Sequence, residues 1–146
     1  MLLNSILIST FALAALLAPA DSGLSYGNWQ FTRTDTDRVT WTGTLKIEKL
    51  DTDRFSAEKY NYQCSIEAQG PKSTREVEGP CKYDSATRTL TLGGGQRDSY
   101  SYTAVLTPDG KALTQGKYSE TVEEMKNDAW VKVNKSGAWS AKLAGK

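Results

Sequence analysis

The side chains best suited to chemistry in this chain are aromatic. Trp41, Tyr60, Tyr62, Tyr100 and Tyr102 fall on the inward faces expected for three strands. Five rings with hydroxyls among them can line a pocket for a small apolar or aromatic ligand; the same rings can equally fill a core with their tips at a rim. Carboxylates come in close pairs, Asp35/Asp37 and Asp51/Asp53, each within a repeated Asp-Thr-Asp-Arg tetrapeptide. Two carboxylates two residues apart on a turn diverge into water, so they read as turn caps and not as an acid–base pair. Neither copy continues into the further oxygen ligands of a calcium loop. The chain has no His, which removes His-based triads, His metal sites and the usual general base near neutral pH. No cofactor or metal is expected, and the reading is of a non-enzymatic protein.

Cys64 and Cys81 are the only cysteines. Their separation and the lack of an electropositive setting argue for a structural disulfide over a reactive pair. The intervening segment holds Gly70-Pro71 and Gly79-Pro80, and closing such a loop contributes about 3 kcal/mol in the chain-entropy model.

The elements that must position these groups are strands. Val39 to Leu50 alternates cleanly, with Val39, Trp41, Gly43, Leu45 and Ile47 on one face and Thr, Lys and Glu on the other. Asn28–Thr34 precedes it across the first Asp-Thr-Asp-Arg turn. Between Phe55 and Ala68 the apolar parity switches, which predicts a β-bulge near Glu58–Lys59. Val77–Tyr83 with Arg88–Leu92, Tyr100–Leu106 with Ala112–Ser119, and Ala129–Val133 with Ala138–Leu143 complete the pattern. Turns are expected at Asp35–Arg38, Asp51–Arg54, Asp84–Thr87, Pro108–Lys111 and Asn134–Gly137. Gly93-Gly94-Gly95 is a bare connection, since no helix follows it to build a phosphate cradle. Thr121-Val122-Glu123-Glu124 has capping-box spacing, so Thr121–Asn127 is either a helical turn or a charged loop. The sum is an all-β fold: an antiparallel up-and-down meander of eight to ten strands closing into a small barrel with one disulfide.

Residues 1–20 carry no charged side chain, and the apolar run Ile6–Ala18 ends in Ala18-Pro19-Ala20. The run is short for a span and meets a small–x–small site, so 1–20 is expected to be a signal peptide and 21–146 a single exported domain, secreted or periplasmic. An uncleaved anchor is the alternative. Lys plus Arg number 18 against 17 Asp plus Glu, well mixed; no basic face points to nucleic acid or an anionic membrane. Asn134-Lys135-Ser136 forms an N-glycosylation triplet.

Gly27-Asn28-Trp29 on the first strand, with Trp139 and Lys142 on the last, resembles the calycin barrels, the lipocalins and avidins. The resemblance implies that Trp29 packs beside a basic side chain of the last strand, with Lys142 the candidate. The chain is shorter than a usual lipocalin, lacks its long C-terminal helix and offers no identifiable biotin-contacting set, so no ligand transfers. The functional expectation is a barrel holding a small ligand near the five rings; the alternative is a protein-interaction module such as a hydrolase inhibitor, using the mobile polar loop Gln69–Glu76 pinned by the disulfide.

Overall fold

A computed structural model describes residues 23–95 and 98–145. The segment 1–20 and the expected cleavage before Asp21 lie outside these described residues. Eight strands follow one another as β1 (Gly27–Asp35), β2 (Thr40–Lys49), β3 (Tyr62–Gln69), β4 (Thr74–Asp84), β5 (Thr89–Gly93), β6 (Tyr100–Leu106), β7 (Ala112–Lys126) and β8 (Ala129–Leu143). Each pairs antiparallel with the next, and β1 pairs with β8, so the sheet closes into a barrel.

The alternation that predicts the strands also fills the interior. Trp29, Phe31, Leu45, Ile47, Leu92 and Leu113 are almost wholly buried, while their sequence neighbours face water. Phe31 anchors the middle, its ring 5.6 Å from Trp139 and 6.3 Å from Tyr102. The disulfide Cys64–Cys81 joins the adjacent strands β3 and β4, with both cysteines fully buried. At the lower end the chain before β1 turns under the barrel. Leu24 enters the core there, and Trp29 donates through Nε1 to the Ser25 carbonyl at 3.2 Å.

Asx turns at Asp51, Asp84 and Asp109 form as their sequences dictate, each carboxylate accepting the N–H two residues on. The expected polar loop Gln69–Glu76 shrinks to residues 70–73, because Gln69 ends β3 and Thr74–Glu76 open β4. The parity switch after Phe55 is not a bulge, because residues 50–61 connect β2 to β3 and the strand begins only at Tyr62. The irregularities of the ladder lie instead opposite Thr103–Val105, where Gln115 adopts φ 54°. Thr121–Asn127 is not helical: β7 continues through it, since Val122 and Glu124 alternate with Glu123 and Met125 and find Val133 and Val131 across the ladder. Asn134–Gly137 is not a turn; the reversal falls at Asn127–Asp128, both left-handed at φ 50° and 63°, as a tight two-residue hairpin demands. Gly137 is needed for another reason, because a Cβ there would sit 2.2 Å from the Thr34 carbonyl of β1.

Lys142 does not reach the Trp29 ring. It pairs in register with Gln30 and points outward, whereas Trp29 pairs with Leu143 and points in. A one-residue offset reverses a strand side chain's face, and this one separates the two groups across the wall.

Candidate functional site

The upper end of the barrel carries the β1–β2, β3–β4, β5–β6 and β7–β8 connections, and the polar groups of the interior gather there. On β1 the inward series Trp29, Phe31, Arg33, Asp35 passes from apolar to charged without leaving its face. Arg33 is 2% exposed. Its guanidinium lies between the rings of Trp41 and Tyr118, 5.1 and 4.1 Å from their centroids. Nε donates to Asp35 Oδ1 at 3.1 Å; Nη1 reaches Glu120 Oε1 at 2.9 Å and donates to the Tyr102 hydroxyl at 2.6 Å. Nη2 has no hydrogen-bond partner among the described residues.

The two buried carboxylates are satisfied on both oxygens. Asp35 accepts from Trp41 Nε1 at 3.0 Å through Oδ2 and from the Tyr118 hydroxyl through Oδ1. Glu120 accepts from the Tyr102 hydroxyl through Oε1 and from Arg75 Nη2 at 3.0 Å through Oε2. Two cations therefore face two anions. Tyr102 and Tyr118 stack with centroids 5.4 Å apart.

Burial works against the Glu120 carboxylate, but the Tyr102 hydroxyl, Arg33 and Arg75 outweigh it and hold its pKa below the usual value. Burial, then the adjoining Glu120, pushes the Tyr102 phenol well above its ordinary range, so it stays protonated and donates. Burial alone would lower the Arg33 pKa; Tyr102, Glu120 and Asp35 reverse the sign and raise it. Glu120, Tyr102 and Arg33 are thus each held in one charge state by their neighbours, which suits a rigid polar plug.

The five rings expected to share a ligand site are divided among four places. Trp41 and Tyr102 belong to the plug. Tyr62 lies at the lower end, edge-on to Tyr26 and Tyr83 at 5.6 and 6.4 Å. Tyr60, in the β2–β3 connection, meets Phe55 at 6.4 Å. Tyr100 stands on the upper rim, its hydroxyl donating to the Glu78 carbonyl at 3.2 Å. Two clefts of about 470 and 400 Å³ open on that rim beside Glu120, and of the five rings only Tyr100 borders them.

Sequence reasoning missed Arg33, Arg75, Tyr118 and Glu120. The signal was present for Arg33, which shares parity with Trp29 and Phe31. Asp35 reads as a turn cap from the sequence, yet its side chain points inward.

Above the rim, β7 and β8 continue as a two-stranded ribbon with no third strand beside it among the described residues. β6 accompanies β7 only to Glu120, and β1 accompanies β8 only from Gly137. Residues 121–134 thus have each other as strand partners, apart from Thr121 N–H donating to the Ser99 carbonyl at 2.8 Å. Glu124 and Lys135 pair on the inner face at 2.9 Å. On the outer face near the tip, Met125 and Trp130 lie directly across the ladder, 53% and 66% exposed. No protein-family model, curated protein or solved structure matches this chain.

Proposed function

We propose that this is an exported, non-enzymatic protein-interaction module that meets its partner with the upper end of the barrel. The observation that carries the reading is the Met125–Trp130 pair held out on the ribbon. A solvated Trp beside a Met, fixed by a ladder and not by a flexible loop, is the composition of an interface anchor. An interior filled by Trp29, Phe31, Tyr102 and Arg33 favours this reading over a small ligand held among Trp41, Tyr60, Tyr62, Tyr100 and Tyr102. The neutral plug supports it too, because it fixes the rim from which the ribbon rises. A buried disulfide fits an oxidising compartment outside the cytosol. Inhibition of a hydrolase is one form such binding takes, and the resemblance of Gly27-Asn28-Trp29 to calycins is compatible with a scaffold of this kind.

Native mass spectrometry of protein purified from its own source tests the reading. The expected result is a retained protein partner that is lost from Trp130→Ala. A retained small molecule that survives Trp130→Ala would refute it.

A further inference from the structure

The barrel wall is uneven at the upper end. β4 has eleven residues, yet β5 covers only Cys81–Asp84 of it. Pro80, which has no N–H to give, marks where that pairing stops, and β5 ends at Gly93, which with the following Gly94 adopts positive φ, 74° and 86°. Among the described residues, the upper half of β4 and the ribbon half of β7 therefore face each other with no strand between them. The cleft of about 400 Å³ lies in this gap, floored by the Arg75–Glu120 ion pair and Tyr100.

Backbone direction can be read from two bonds. Thr121 N–H points into the gap, toward Ser99. Strand alternation then turns the N–H and C=O of Glu123 and Met125 the same way. The Glu78 carbonyl points into the gap from the other side, toward Tyr100. The side chains are equally ordered. Glu76 and Glu78 on β4 and Glu123 on β7 are exposed along the outer surface, while Val77 and Val122 are half-buried on the inner one.

We infer that this gap receives an extended segment of a partner protein, which adds as a strand along the free edge of β7 and continues the line of β6. The inference rests on the protein-interaction reading and names the chemistry of the partner. Its outward side chains fall between Glu123 and the Glu76/Glu78 pair, so they are Lys or Arg; its inward ones lie over Val77, Val122 and Tyr100, so they are apolar. Main-chain bonds to Glu123 and Met125 supply affinity, and the alternation supplies selectivity.

The test is binding of a dye-labelled Lys-Val-Lys-Val-Lys-Val peptide to the folded full-length protein, followed by anisotropy. Saturable binding is expected, weakened about tenfold or more by Glu76→Lys with Glu123→Lys, and by N-methylation of the peptide amides that face β7. Near-UV circular dichroism checks that these exposed changes leave the fold intact. Absence of saturation, or equal binding of a Glu-Val peptide or of the N-methylated one, overturns strand addition. Self-association that the peptide competes away would make a second copy the occupant and likewise overturn it. A native partner that depends on Trp130 but not on Glu76 and Glu123 would keep the interaction reading and discard the strand.

Discussion

Replacing Arg33 by Met tests the plug most directly, since Met keeps an unbranched apolar stem about as far as Nε and removes the guanidinium with its charge and donors. The variant loses the pairs with Asp35 and Glu120 and the stacking between Trp41 and Tyr118. Breaking a buried pair by deleting one partner costs about 3–5 kcal/mol, because the other charge stays buried and uncompensated. That is a large share of the roughly 5–15 kcal/mol that holds a domain of this size. The sign with pH follows from Glu120. Its folded pKa lies below the ordinary 4.5, so it stabilises the fold above that value and the contribution fades as pH falls through the folded pKa. Without Arg33 less holds the carboxylate ionised, so the deficit of the variant should be largest near pH 7 and shrink toward pH 3. Urea unfolding of both proteins across that range measures it. Adding Glu120→Gln to Arg33→Met should recover part of the loss at pH 7. A cost under about 1 kcal/mol, or one that does not change with pH, would refute the claim that these charges depend on one another.

Cys64→Ser should lower stability by about 2–4 kcal/mol, and thiol titration of denatured, unreduced protein should find no free sulfhydryl. Trp29→Ala empties the seam between β1 and β8 and should cost about 3–5 kcal/mol in equilibrium unfolding; a neutral result would contradict a closed barrel. Trp130→Ala should shift the urea midpoint hardly at all, within about 0.5 kcal/mol, because the ring is mostly in water. A large loss there would mean that the ring supports the fold and is not displayed for a partner.

Local rules made most of the barrel legible. Period-two alternation locates β2, and Asx chemistry locates the turns at Asp51, Asp84 and Asp109. The failures share one physical cause: strand length depends on what lies alongside. Thr121–Glu124 carries a capping-box pattern, and Asn134–Gly137 carries turn residues, but thirteen cross-strand pairs between β7 and β8 outweigh both local preferences. The plug was hidden for a different reason. Arg33, Asp35 and Glu120 each look like ordinary solvated charges when read singly; Arg33 and Asp35 share a face of β1, and only the closure of β1 against β8, with β7 beside it, brings Glu120 to them. The parity of Arg33 with Phe31 was the one local clue.

Closure of β1 on β8 also governs when this chain can fold. Trp29 finds Leu45 across β2 but its other cross-strand partner, Leu143, almost the whole described sequence away, so one edge of the first strand waits for the last. Until β8 is available, β1 keeps a bare edge, and the Arg33 side chain lacks the Tyr118 and Glu120 groups that neutralise and cover it. Contacts of such long sequence separation make folding slow and concentrate it in one late event. A chain cut before β8 would therefore leave bare edges on both β1 and β7, the strands that β8 joins.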